Sequence, residues 1–352
     1  MRLRRSLAVT TALVAGATLA LAGCGSSTPE TPGGAATDAA TDAPTGGATD
    51  SFPITVTSAL GETTIEEEPV RVATWGWGST EAAVALGVFP VAVAEQRWTV
   101  GEGNLLPWVE EAFDAAGAEH PALLTDDGTG ATVPYEEFVA AEPDLILAPY
   151  SGLTQEQFDL LSEIAPVVAY QDGPWTTTWD DVITISAEAL GRTAAGEEVL
   201  AGISDFLAEA RAAHPEFEGK TFAGVWDGDG VMSVYTAADA RAAILVELGL
   251  QIAPSVGELD SSDGGFYFDL SYEKIDALTA DFLIMYGPSE EEVTASLAKP
   301  ELQAIPAIAA GQVVKVYDPV TVSSVSPPTA LSFQWEGGMP SLIESIAALL
   351  AE

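Results

Sequence analysis

Hydrophobic and polar positions change rhythm all along the chain. Ile54 to Ile65 alternates around Leu60-Gly61-Glu62, the spacing of a small hairpin with one covered face. After Pro69, Val70 to Thr74 reads as a strand, Ser79-Thr80-Glu81 caps a helix that stops at Leu86-Gly87, and Val91 to Ala94 makes the next strand. A helix over Leu105 to Ala116, a strand over Leu145 to Leu147, a helix over Thr154 to Ile164 and a strand over Val167 to Ala169 complete a first lobe at 51–176. Short, continuously apolar strands that alternate with helices require a largely parallel sheet covered on both faces.

Asp180 to Ala213 then carries one long helical stripe through Ile183, Ala187, Leu190, Val199, Ile203, Phe206 and Leu207. It is interrupted by Gly191 and Gly202 and stopped at His214-Pro215. Continuous, it spans about 50 Å at the helical rise, enough to cross from one lobe to another. The pattern predicts an interlobe spine at 177–215. Beyond it, Thr221 to Trp226, Phe282 to Tyr286 and Val313 to Tyr317 read as strands, and Ala237 to Leu248, Ser289 to Ala298 and Pro340 to Leu350 as helices. These make a second, mixed α/β lobe at 216–352.

Tyr135 to Leu147 recurs as Tyr272 to Ile284, 137 positions later. Each copy reads as a short helix running through Asp144 or Asp281 into a buried strand. Phe138 and Ala141, like Ile275 and Leu278, face inward at three-residue spacing and leave Glu136 and Glu273 exposed near the helix starts, where the dipole favours a carboxylate. Either acid alone is an ordinary solvated side chain. A matched pair on two related halves also suits a partner with two basic sockets.

Charge and cysteine usage narrow the function classes. A net charge of −41 repels nucleic acid, and 47% hydrophobic content in 352 residues suffices for two cores. Cys24 is the only cysteine, which excludes internal disulfides and cysteine-held metal clusters. It closes a segment with a basic start, Met1 to Arg5, and an apolar run, Leu7 to Ala22. The ending Leu21-Ala22-Gly23-Cys24 resembles a bacterial lipobox, which implies a signal peptide at 1–23, a diacylglycerol on Cys24, and a protein lipid-anchored on the extracytoplasmic face of the cell membrane. Losing 1–23 removes Arg2, Arg4 and Arg5 and no acid, taking the net charge to −44. The general secretory route is preferred to twin-arginine export. Residues 24–50 hold no large apolar side chain and read as a flexible linker.

Signatures of catalysis are missing. There is no Gly-x-Ser-x-Gly elbow, Glu81 stands where a dinucleotide fingerprint starting at Gly76 needs its third glycine, and Asp227-Gly228-Asp229-Gly230 is a turn rather than a calcium loop. His120 and His214 both precede proline and read as helix stops, not as a metal site. No enzyme activity, cofactor or bound metal is expected.

What gathers at the predicted carboxyl ends of the strands, where such sheets bind ligands, is aromatic and basic. The candidates are Trp75, Trp77, Arg97, Trp98, Tyr150 and Trp175 in the first lobe, with Trp226, Tyr235, Arg241, Tyr267 and Tyr286 in the second. A ring-lined cleft suits a bulky, partly apolar ligand better than a sugar or single ion. Arg97 and Arg241 either pair with surface acids or face an anionic ligand.

Val70 to Ala73, Leu86 to Val91, Glu142 to Leu147, Ile164 to Val168, Leu302 to Ala307 and Gly311 to Val313 resemble the ABC-transporter solute-binding proteins for iron-siderophore complexes and cobalamin, over nearly all of residues 65–350. The resemblance implies two Rossmann-like lobes joined by a single long α-helix, of the class III periplasmic-binding-protein type, with limited opening. It implies that one Glu on each lobe docks into arginines of the membrane permease, positions that fall on Glu136 and Glu273; the second copy has Ala280 where the first has Pro143. The expected function is capture of a ferric siderophore by a monomeric lipoprotein and its delivery to an ABC importer. Because a catecholate complex calls for several bases together, a hydroxamate complex suits this acidic chain better. A corrinoid or haem receptor of the same fold is the alternative, and an extracellular α/β enzyme or a structural surface lipoprotein the alternatives of another class.

Overall fold

Strand pairing follows the apolar runs. The computed structural model describes residues 50–96, 104–127, 130, 132–228 and 230–351. The signal peptide and lipobox, and with them Cys24, lie outside the described residues, as do residues 24–49 of the linker, Arg97 and Trp98.

An antiparallel hairpin, β1 (Ile54–Ser58) and β2 (Gly61–Ile65), leads into the first lobe. Its sheet holds β3 (Val72–Thr74), β4 (Ala92–Ala94), β5 (Ala122–Leu124), β6 (Leu145–Ala148) and β7 (Val167–Ala169) in the order β5-β4-β3-β6-β7, all parallel. The intervening helices are α1 (Ser79–Ala85), α2 (Pro107–Ala116), α3 (Tyr135–Ala141) and α4 (Gln155–Ser162). Strand order reverses direction between β3 and β6, which creates the crevice at which ligands sit in open α/β sheets. Two or three turns suffice for each helix, and α4 starts with a full capping box between Thr154 and Gln157.

The expected spine is two helices. α5 (Trp179–Ala189) and α6 (Thr193–Ala213) are separated at Leu190-Gly191-Arg192, where Gly191 takes the left-handed φ of 65°. The apolar stripe continues across the break because both helices bury it, Ile183 of α5 and Ile203 of α6 in one cluster and the end of α5 in another. Ile185, Ala187 and Leu190 pack on the first lobe with Val56, Ala83 and Leu86, while Ile203 and Leu207 pack with Phe217, Phe222 and Leu248 of the second. α6 is the longer of the two, 21 residues or about 32 Å, and α5 also reaches the second lobe through Val182 and Ile183.

The second lobe contains β8 (Thr221–Gly228), β9 (Val231–Tyr235), β10 (Gln251–Ile252), β11 (Tyr267–Ser271), β12 (Phe282–Tyr286) and β13 (Val313–Val316). The order is β11-β9-β8-β12-β13, with β10 beside β8. β8, β12, β13 and β10 are parallel, whereas β9 and β11 are antiparallel additions. Helices α7 (Ala240–Glu247), α8 (Pro254–Leu259), α9 (Glu290–Leu297), α10 (Pro306–Ala309), α11 (Pro319–Val325) and α12 (Met339–Leu350) complete it. The repeat is present with one change: its first copy is α3, while its second is a 3₁₀ helix, Tyr272–Ala277.

The C-terminal segment crosses back to the first lobe. Trp335 packs on Trp108 with ring centres 5.2 Å apart, and Val320 and Leu331 cover the same cluster of Val84, Val109 and Phe113. Beside it lies a buried acid, Glu81 in the first turn of α1, which accepts a hydrogen bond from Trp108 Nε1 at 3.2 Å. Burial raises the Glu81 carboxyl above its ordinary range against that bond.

Candidate functional site

The cavity lies where the carboxyl ends of the first-lobe strands face the second lobe. Gly76 and Trp77 follow β3, Tyr150 follows β6, Gln96 follows β4, Asp126 and Gly130 follow β5, and Trp175 follows β7. Arg241 at the start of α7, Phe266 before β11 and Ser326-Pro327 after α11 form the opposite wall. The volume of this open cavity is about 310 Å³.

The crevice between β3 and β6 is closed by their own backbones. Trp75 N donates to Leu147 O at 2.9 Å and Trp77 N to Tyr150 O at 3.0 Å. Gly76 makes this approach possible: it has φ 81°, and a Cβ there would lie 2.3 Å from Tyr150 O. The turn at Gly76 also separates two rings only two positions apart. Trp75 goes into the first-lobe core against Phe138, 5.9 Å away, with its Nε1 buried and without a hydrogen-bond partner. Trp77 reaches the cavity and ties it to the other lobe through Nε1 to Pro327 O at 3.0 Å.

Trp175 is held by shape. Its backbone sits at φ 60°, uncommon for a residue with a side chain, and its ring meets the edge of Tyr150 at 5.6 Å. Neighbouring backbone is glycine: a Cβ on Gly152 would lie 2.4 Å from Trp175 Nε1, and one on Gly130 would lie 3.0 Å from the ring.

Arg241 is the base of the site. Its Nε is 2.7 Å from Asp239 Oδ1, and the guanidinium carbon sits 3.7 Å from the centre of the Tyr235 ring and 5.9 Å from that of Tyr286. Asp239 is the N-cap of α7 and also accepts from Arg241 N at 2.9 Å. Burial works against the charge on Arg241, but Asp239 and the surrounding tyrosines outweigh it and hold the guanidinium firmly protonated. Burial likewise pushes the Asp239 carboxyl up, with Arg241 pulling it back, and the contact is a buried ion pair. Tyr150 is raised far above an ordinary phenol by burial and by Asp239, so it meets a ligand as a neutral hydroxyl.

Of the sequence candidates, Trp77, Tyr150, Trp175 and Arg241 line one cavity. Tyr235 and Tyr286 are buried beneath Arg241 and carry it rather than reaching the cavity. Trp75 is core, Trp226 packs half-buried against the second-lobe core, and Tyr267 is exposed on a separate groove of β11. Sequence reasoning missed Gly76, Gln96, Asp126, Gly130, Phe266, Ser326 and Pro327. Gln96 and Asp126 follow strands, so the rule applied to the aromatics finds them once β5 is recognised. Among the described residues no group of acids and histidines could hold a metal ion, and no helix is long and apolar enough to cross a membrane.

Away from the cavity, Glu136 lies exposed on α3 and Glu273 exposed on the 3₁₀ helix.

Four similarities to known proteins bear on this geometry. A family model described as periplasmic binding protein matches residues 72–319. The solved structure of PiaA from Streptococcus pneumoniae in complex with ferrichrome is similar at 32% identity and a TM-score of 0.76, over 85% of this chain and 99% of that one. The probable siderophore-binding lipoprotein YfiY of Bacillus subtilis shares 27% identity over 237 residues, 66% of this chain and 68% of its own length. An achromobactin-binding periplasmic protein of Dickeya dadantii shares 31% over 133 residues, 38% of each chain.

Proposed function

The chain belongs to the periplasmic binding protein family, and on that premise we propose that it captures a ferric siderophore, of the hydroxamate type, between its lobes and delivers it to an ABC importer. It is a binding protein rather than an enzyme, as its family is. The observation that carries the reading is the cavity wall: three aromatic rings from the first lobe face one guanidinium from the second, in a chain similar to PiaA along most of its length. Rings cover the apolar flank of a chelate, and a protonated Arg241 meets the oxygen shell around iron.

Charge supports the hydroxamate over the catecholate. A ferric tris-hydroxamate is neutral, whereas a tris-catecholate carries three negative charges. Arg241 is the one base among the described lining residues, it is already paired with Asp239, and Asp126 adds a carboxylate to the wall. A trianion in that setting is repelled, while a neutral chelate needs only directed hydrogen bonds. The volume, about 310 Å³, lies at the small end for ligand pockets. It fits the iron-bearing end of the complex, with the rest of the chelator at the cleft mouth.

Delivery and location belong to the same reading. Cys24 carries the lipid anchor, the body is monomeric at the extracytoplasmic face, and Glu136 and Glu273 dock one on each lobe into the permease. The experiment is uptake of radio-iron-labelled ferrichrome by cells of the source bacterium whose gene for this chain is deleted and then restored. Deletion abolishes uptake and restoration recovers it; uptake unchanged by deletion contradicts the proposal. The E136A/E273A double variant, restored at equal protein level, abolishes uptake while leaving ferrichrome affinity intact.

A further inference from the structure

Each of the two exposed acids stands next to a residue nailed to a strand end. Beside Glu136, the Glu137 carboxylate accepts from Thr125 N at 2.6 Å and from Thr125 Oγ1 at 2.8 Å, just past the end of β5. At the other end of α3, Arg71 Nε donates to Glu142 O at 2.8 Å and its Nη2 to Ala141 O at 2.5 Å. α3 is thus pinned at both termini. Glu136 and Glu273 themselves make no hydrogen bond or ion pair among the described residues.

The second lobe reaches the same result with different chemistry. Tyr272, immediately before Glu273, donates its hydroxyl to Asp227 on β8. Lys299, just beyond α9, sets its Nζ 2.6 Å from Asp227 Oδ2 and 3.3 Å from the Tyr272 hydroxyl. The Asp227 side chain is wholly inaccessible, while Lys299 remains 40% exposed. Burial opposes the charge on Asp227, yet bonds from Lys299, Ser296 and Tyr272 outweigh it and hold the carboxyl below its ordinary range. A buried carboxylate this well bonded is a fixed point.

A fixed point matters more here than on the first lobe. Glu273 sits in a six-residue 3₁₀ helix, a form with poor hydrogen-bond geometry that is marginal in short pieces. Unanchored, its acid would sample many directions and lose that freedom on docking, which weakens the docked state. We propose that the Asp227–Tyr272–Lys299 cluster is a positioning device for the permease: it holds the Glu273 turn in a docking-ready orientation and plays no part in binding cargo. This rests on the docking role given above to Glu273. The cluster is made of residues from β8, the 3₁₀ helix and the turn after α9, and none of them lines the cavity.

Tyr272→Phe removes one hydroxyl and nothing else. Y272F, E273A and Y272F/E273A are compared for ferrichrome affinity by tryptophan fluorescence, for thermal midpoint, and for radio-iron uptake in cells restored with each variant. The expected result is unchanged cargo affinity for all three, a fall in uptake of about fivefold for Y272F, and no further fall when Y272F is added to E273A. Uptake unchanged in Y272F while E273A reduces it overturns the positioning role. So does a Y272F effect that persists in full on the E273A background. If E273A itself leaves uptake intact, the docking reading fails and the positioning role with it, an outcome that points to the acid rather than to the cluster. Should Y272F fold poorly, D227N/K299M, which removes the opposite charges together, goes through the same three measurements and is judged by the same outcomes.

Discussion

Arg241 lies face-on against Tyr235, its guanidinium carbon 3.7 Å from the ring centre. The contact fixes the plane of the cation, and the bond from Nε to Asp239 fixes its rotation. A side chain with that much freedom removed presents its charge to the cleft at little further entropic cost. Arg241→Met therefore weakens ferrichrome binding by about ten- to a hundredfold, the range for a buried hydrogen bond to a charged group. Arg241→Lys does not restore it, because an ammonium cannot hold both the ring face and Asp239 in that plane. Fluorescence titration of the two variants against the parent measures both effects.

Gly152 is where the cavity is most sensitive to a single methyl group. A Cβ there would lie 2.4 Å from Trp175 Nε1, and the Trp175 backbone has already been pushed to a positive φ. Gly152→Ala displaces the Trp175 ring from Tyr150 and narrows or tilts the aromatic wall. Overpacking of this kind costs about 1–3 kcal/mol, so where it falls on the ring's cargo-binding position affinity drops by about 5- to 150-fold. Titration against ferrichrome, with circular dichroism confirming an intact fold, tests it.

Glu81 gives the pH dependence a sign. Its carboxyl is buried and raised above the ordinary carboxylate range, so its unfavourable ionised state in the fold is felt at neutral pH and vanishes as pH falls below the unfolded value. Glu81→Gln keeps an acceptor for Trp108 Nε1 without the buried charge. The variant melts higher than the parent at pH 7, by roughly 2–4 °C for each kcal/mol gained, and the difference closes as pH is lowered towards 4.5. Thermal melts of both proteins across that interval decide the matter; a gap that widens at low pH contradicts the assignment.

The two-lobed α/β plan was legible because β6 and β12 are continuous apolar runs with every residue buried. β5 was not, since it has three residues and exposes two of them, and β9 and β11 were not, because each is only five residues long and β11 buries just Phe268 and Leu270. The break at Gly191 was visible as a glycine, but an apolar stripe on both sides hid the fact that the end of α5 buries it in the first lobe and α6 in the second. In the site, the rule of strand ends found Trp77, Tyr150, Trp175 and Arg241. It could not separate Trp77 from Trp75, because the left-handed turn at Gly76 that sends one ring to the cavity and the other to the core depends on contact with Tyr150 O. Nor could it see Asp239, which looks like a plain helix cap until the fold places Arg241 back over it.

The central claim, that the cavity takes the iron complex of a neutral chelator, is tested most directly by one tryptophan-fluorescence titration of the lipid-free body against ferrichrome, iron-free ferrichrome and cobalamin. Trp77 and Trp175 line the cavity, so a bound ferric centre quenches them. The account predicts a saturable quench with ferrichrome and none with the other two. A saturable response to cobalamin with none to ferrichrome, or no response to any of the three, contradicts it.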